Sequence, residues 1–445
     1  MRSLLESLEF LRRHRKNECD FTRQRKLSFS RMILLGLTRS LESLQNRLNE
    51  AQRVLHRLSL GFDGGAVSAS AYTQARAKLK HTAFIALNQE LLLPTFYGAS
   101  EQEGDLRPKY WRGLRLIGID GTDLVLPDTP ELLDLFGGRS FKIANRHKPG
   151  EYITGKRPGA LAVISYDLLN HLAVDARLQA CASDEAVGAL SMIADLAPND
   201  LIITDRGFAS YQYMARCFQH QRQFLTRAPK SMYPELQALA RISPDKTAVQ
   251  TIAMPYHQRA AMQNLGLPES ITIRCVLVDL PTGEEEVLFT SLPDTEEYPG
   301  EEFQALYFKR WGEETYFDRL KNIMGLEMFS GLTEEAIRQD FWATLLVSNI
   351  ETLFTADAQR ILDAQSEGNR YEQQVNHSVA FATLRREVME LVLSPAHSTD
   401  DLLAQLTMLF AQSPVPKRPN RRFPRKKPTP TQQVRFYKYV RKPAS

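Results

Sequence analysis

The sequence predicts an α/β protein: a mixed sheet flanked by helices, split by a β-rich insertion, with a helical region ahead of it and a basic region behind. Three observations predict this. Residues 114–229 read as three strands and then helix–strand–helix–strand. Residues 230–298 carry strand patterns and turn signals. Residues 1 to about 90, and those after Pro299, carry apolar side chains at helical spacing. At 445 residues and 43% hydrophobic, the chain can bury a large core and form more than one domain. The expected divisions are 1–95, 105–229, 230–298, 299–365 and 366–445.

In the first division, FSRMILLGLTRSLESLQNRL has apolar residues at helical intervals. FDGG then breaks the pattern, and a Ser-capped helix follows. VSASAYTQARAKL reads either as the second helix of a helix-turn-helix, with Gln74, Arg76 and Lys78 exposed, or as part of a plain helical bundle. LRLIGID (114–120), ALAVISYD (160–167) and HLAVDARL (171–178) are strands. SDEAVGALSMIADL (183–196) is a helix opened by a Ser cap, LIITD (201–205) a strand, GFASYQYMARCFQH (207–220) a helix and QFLTRAP (223–229) a strand. TAVQTIAMPY and SITIRCVLVDLPTGEEEVLFTSL supply antiparallel strands, with PTG as a turn. The helix EEAIRQDFWATLLVSNIETLFTADAQRIL is apolar enough to be largely buried.

Four widely spaced cysteines, with no CxxC pair, argue against a disulfide framework or a zinc site and fit a reducing cytoplasm. No apolar run is long enough for a membrane span, and no signal-peptide core follows Met1. The net charge of +4 is uneven, because Pro416–Ser445 holds eleven Lys or Arg and no acid. This Pro-rich tail reads either as a solubilising segment or as an arm for phosphate contacts, in which Phe436, Tyr437 and Tyr439 among the cations suit base stacking.

Chemistry concentrates in YFKRWGEETYFDRLK (307–321). On one α-helix, Tyr307, Arg310, Glu314 and Lys321 fall inside a single arc of roughly 60°. Trp311 falls beside that arc and reads as core. Asp120 ends one apolar strand and Asp205 another, where a carboxylate is held at the sheet edge or caps a turn. In GIDGT, Gly118 stands where a dehalogenase-like phosphatase needs its nucleophilic Asp, so that class is excluded. Three carboxylates, Asp120, Asp205 and Glu314, suit two Mg²⁺ or Mn²⁺ ions about 3.5–4 Å apart. Arg310 and Lys321 would bind flanking phosphates. Arg206 fits a phosphate contact or an ion pair, and Arg146, His147 and Lys148 a solvated loop.

IDGTD, TDRGF and Y-x2-R-x3-E-x6-K, in that order, resemble the DDE transposases of bacterial insertion sequences, the insertion-sequence-four group. The likeness covers nearly the whole chain and implies a ribonuclease-H-like catalytic core split by the β-rich insertion. It implies an N-terminal DNA-binding region and a basic C-terminal region. It further implies catalysis and metal binding by Asp120, Asp205 and Glu314, with Tyr307, Arg310 and Lys321 gripping DNA. The implied partners are double-stranded transposon ends and target DNA, held by a homodimer in the nucleoid-associated cytoplasm. The implied activity is DNA cleavage followed by joining of 3′ ends to target. The alternatives are a non-catalytic DNA-binding derivative and a metal-dependent nuclease of the same fold. One departure concerns the insertion, where some relatives place a Trp that holds a flipped base. Residues 230–298 contain no Trp, leaving Tyr256 or Phe289 as substitutes.

Overall fold

The computed structural model describes the chain except residues 24, 40–41, 61–64, 99–106, 145–149, 281–282, 295, 367, 369 and 418–445. The loop with Arg146, His147 and Lys148, and the basic tail from residue 418, lie outside the described residues. The chain forms two compact units, neither contiguous in sequence. One gathers Met1–Arg107, Leu124–Ala160 and the chain from Asp318. The other gathers Pro108–Asp123 and Leu161–Phe317.

Nine strands occur along the central region. They are β1 (Arg115–Val125), β2 (Gly138–Ala144), β3 (Tyr152–Asp167), β4 (Leu172–Ala180), β5 (Asp200–Thr204), β6 (Gln223–Ala228), β7 (Thr247–Ala253), β8 (Ser270–Asp279) and β9 (Glu285–Thr290). Eight of them pair in the order β4–β3–β1–β5–β6–β9–β8–β7, and β2 pairs antiparallel with the first half of β3, residues that belong to the first unit. β1 and β6 each run parallel to β5, with Ile117 opposite Ile202 and Ile203 opposite Leu225. Both faces of such strands are covered, which is why they read as unbroken apolar runs. Two helices supply the crossovers. Glu185–Met192 is capped by Asp184, not by the Ser183 the sequence suggested, and Tyr211–Gln219 is capped by Ser210. Ile117, Ile119, Met192, Ile202, Met214 and Phe224 form the centre of the second unit's core. A three-strand start followed by two parallel strands through helices is the expected ribonuclease-H-like mixed sheet. The insertion is continuous with it: β9 pairs antiparallel with β6, and β8 and β7 follow.

The first unit is built on the helix Glu334–Gln365, whose 32 residues span about 48 Å. Thr333 caps it, and nearly every side chain from Ala336 to Glu351 is buried. Asp340 on this helix lies 2.8 Å from the Arg76 guanidinium and 3.7 Å from that of Arg39. Arg76 also donates to Gln339 Oε1, Ser330 Oγ and the Ala336 carbonyl. Arg76, expected on an exposed recognition face, is therefore a buried tie within the unit, because a guanidinium with five donors finds its acceptors on a helix far along the chain. Gln74 stays exposed. No helix among the described residues is long and apolar enough to cross a membrane.

Candidate active site

Asp120 sits within β1, not at its end. The strand continues to Val125, so the expected turn at Gly121–Thr122 is extended chain. Burial along β1 changes at Asp120, after five buried residues and just past the last pair in register with β5, Gly118 with Ile203. Its Oδ1 accepts a 2.8 Å hydrogen bond from the Gly121 amide. Asp205 follows β5 directly and caps a single 3₁₀ turn over Arg206–Phe208, accepting from the Arg206 amide. Parallel pairing of β1 with β5, in register as far as Gly118 with Ile203, brings the two acids to one end of that pairing despite the 85 residues between them.

The third element departs from the helix expected over 307–321. An α-helix covers Glu302–Phe308, a second covers Trp311–Asp318, and a π-helical turn covers Arg319–Ile323. At the junction the amides of Lys309, Arg310, Gly312 and Glu313 each bond to the carbonyl three residues back. Such bonds tighten the backbone to three residues per turn, where side chains at i and i+3 eclipse. Tyr307, Arg310 and Glu313 thus share one inward face, with relative exposures of 5%, 6% and 1%. The same over-winding turns Trp311 outward. It is 52% exposed, correcting its assignment to the core, and its ring carries the Arg310 guanidinium at 5.5 Å. Lys321 lies in the π-helical turn, within the first unit, so the four motif residues do not share one regular α-helical arc.

Arg310 links the carboxylates. Its Nη1 is 3.8 Å from Asp120 Oδ2 and its Nη2 3.6 Å from Glu314 Oε1. Asp205 is held by Arg227 at 3.0 Å, and the Tyr307 hydroxyl points at the same oxygen from 3.5 Å. Burial pushes the Tyr307 phenol up to about 12, so it remains a donor. Burial likewise raises the Asp120 carboxyl, opposed by the Gly121 amide and Arg310 and reinforced by Asp205 and Glu314. Two further acids complete the group. Glu185, opening its helix, lies across Gly121, and its carboxyl is raised by burial and then by Asp120. Glu313 is raised well above the usual range, by burial first and by Asp120 next.

Among the described residues, no set of three or more carboxylate, His or Cys side chains is closed tightly enough to hold a metal ion as it stands. Arg310 occupies the space between Asp120 and Glu314. The donor chemistry nevertheless fits a hard divalent cation: every candidate ligand is a carboxyl oxygen, and both Glu313 oxygens are buried without a hydrogen-bond partner.

The geometry therefore brings together Asp120, Asp205, Glu314, Tyr307 and Arg310. Arg206 is exposed beside them, offering its backbone amide to Asp205 while its side chain faces outward. Phe289 is fully buried and unsuited to stacking on a base, whereas Tyr256 is 86% exposed. Sequence reasoning missed Glu185, Arg227 and Glu313. Only Glu313 carried a signal, the three-residue rhythm it shares with Tyr307 and Arg310.

The transposase DDE domain family matches residues 111–350, more than half of the chain. The chain is 23% identical over 411 residues, 91% of it and 86% of the relative, to the transposase InsG for insertion sequence element IS4 of Escherichia coli (strain K12). A putative transposase InsZ of the same organism is 27% identical over 218 residues, 47% of this chain and 67% of that protein. Among solved structures, the cryo-EM synaptic complex of piggyBac transposase with hairpin DNA aligns at a TM-score of 0.36 and 10% identity, covering 91% of this chain and 78% of that one. With the matched segment containing Asp120, Asp205 and Glu314, the chain belongs to the DDE transposase family.

Proposed function

We propose that this transposase binds the double-stranded ends of its element as a homodimer, cleaves there, and joins the freed 3′ ends to target DNA. The observation that carries the reading is the convergence of Asp120, Asp205 and Glu314 from three separate elements around one guanidinium. Mg²⁺, with Mn²⁺ as a substitute, would be held by these three carboxylates. Bound there, two such ions would supply activation of an oxygen nucleophile and charge stabilisation for the leaving oxygen at phosphorus.

The chain's own residues prepare that step. β1 and β5 fix two of the carboxylates on buried strands, so little reorganisation remains when substrate arrives. Arg310 pairs with Asp120 and Glu314 only loosely, at 3.8 and 3.6 Å. A phosphate offering two oxygens forms shorter, bidentate bonds and draws the guanidinium away from both acids. Tyr307 keeps its proton and can donate to a phosphate oxygen or to Asp205. Lys321 and the exposed Arg206 supply further phosphate contacts. Residues 1–95, with the tail, supply affinity along the duplex, in a cytoplasmic protein that resides on the nucleoid.

The test is substitution of each acid. Asp120→Asn, Asp205→Asn and Glu314→Gln should each abolish cation-dependent cleavage while gel shifts show DNA binding retained. A fully active Glu314→Gln protein would refute the assignment.

A further inference from the structure

Directly beneath Asp120, two residues along the same face of β1, stands Gly118. A Cβ there would lie 2.1 Å from Glu313 Oε1, 2.4 Å from its Cδ and 2.9 Å from its Cγ. The absent side chain is therefore a notch, and the Glu313 carboxyl fills it. Glu313 is 1% exposed, and neither of its oxygens has a hydrogen-bond partner. A carboxyl so placed is costly, because burial without a partner removes its hydration and returns nothing. Apolar residues of similar volume would pack there at lower cost. The surroundings intensify the problem. Asp120, Asp205, Glu314 and Glu185 crowd the same region, where Arg310 pairs with Asp120 and Glu314 and Arg227 with Asp205. A buried acid whose own two oxygens lack a hydrogen-bond partner, set beside other acids, is configured to receive a cation.

We propose that Glu313, seated in the Gly118 notch, is a fourth acidic ligand of the divalent-cation centre, beyond Asp120, Asp205 and Glu314. The proposal rests on the reading of those three as the cation site. It assigns a role to the tightened junction at residues 309–313: eclipsing brings the buried Glu313 onto the face of Tyr307 and Arg310, next to the part-exposed Glu314. It also makes Gly118 a positioning residue, since any side chain there displaces the Glu313 carboxyl.

The experiment is Mn²⁺ titration of the full-length protein, following free Mn²⁺ by electron paramagnetic resonance, with metal-free melting measured in parallel. Glu313→Gln keeps the shape and removes the charge. Glu313→Met keeps the volume and removes the unpartnered oxygens, so it should melt at or above the wild-type temperature without metal. Both should bind Mn²⁺ at least tenfold more weakly or lose one site, and Gly118→Ala should weaken binding in the same direction. Wild-type Mn²⁺ binding in either Glu313 variant, with Asp120→Asn deficient, overturns the proposal and leaves the three-carboxylate reading intact. Wild-type binding in Asp120→Asn as well overturns that reading too. Failure of both Glu313 variants to fold makes the carboxyl a packing element and also overturns the proposal.

Discussion

Replacing Arg310 with Ala removes the cation that lies between two acids of the centre. At 3.6–3.8 Å and an effective dielectric near 20, each of its ion pairs is worth about 4 kcal/mol before desolvation is charged against it. The Arg310 side chain is 8% exposed and those of Asp120 and Glu314 are 22% and 36%, so the carboxylates retain part of their hydration when the partner is lost. The net loss should therefore fall below the ~3–5 kcal/mol of a fully buried broken pair and above the ~0.3–0.5 kcal/mol of an exposed i,i+4 pair. About 2 kcal/mol is expected, a fall in melting temperature of roughly 4–8 °C for a unit of this size. The sign of the metal response is the sharper test. With the competing guanidinium gone, a divalent cation can supply the missing charge. Mn²⁺ should thus restore most of the lost melting temperature and bind Arg310→Ala more tightly than wild type. Cleavage or strand transfer should still fall, because the phosphate loses its bidentate partner. Asp318→Ala, which removes an exposed carboxylate that accepts from the Asn322 side-chain amide, is the control for charge change on the neighbouring turn. If Arg310→Ala melts like wild type, or if its deficit is indifferent to Mn²⁺, the guanidinium does not compete for the cation site and the reasoning fails.

Two other outcomes follow. Deleting residues 418–445 removes ten Lys and Arg and leaves the short strand Pro414–Pro416 paired with Gln373–Val375. Fluorescence anisotropy against salt should then show weaker DNA binding and a flatter dependence of log K on log salt, and an unchanged slope would take the tail off the duplex. His14 is 4% exposed, and burial lowers its imidazole to about 4. The unfolded chain takes up that proton near pH 6.5 while the folded chain refuses it, so stability should drop by about 3 kcal/mol as pH falls from 6.5 to 4. Urea denaturation across that window should show His14→Phe largely without this slope.

The parts of the centre visible in the sequence are those fixed by local rules. Asp120 and Asp205 stand out because buried parallel strands must be apolar, which isolates a carboxylate where the apolar run stops. Tyr307, Arg310 and Glu314 stand out by spacing. Glu313 is hidden because an ideal helical wheel turns it away, and only the tightened junction brings it inward. Gly118 is visible as a missing nucleophile, but the notch it leaves has meaning only once residue 313 is packed against it. Arg227 and Arg76 are illegible for a different reason: their partners, Asp205 and Asp340, are set by tertiary packing that no short window contains. Arg76 is instructive, since a basic residue on a short helix near the N-terminus looks like a DNA contact until its acceptors are found.

The interleaving of the two units also sets an order of events during synthesis. Arg39 and Arg76 belong to the earliest part of the chain, and the Asp340 that neutralises both comes after the whole of Leu161–Phe317. Translation proceeds at about 5–20 residues per second, so roughly 10–50 s separate residue 107 from residue 340 leaving the ribosome. Through that interval the N-terminal helices have no central helix to pack on, and their cations have no acid to bury against. The ribonuclease-H-like unit, whose last residue is Phe317, emerges complete before the unit that begins the chain. A ribosome that stops short of residue 340 therefore releases Asp120, Asp205 and Glu314 already gathered, attached to a helical unit that lacks its central helix.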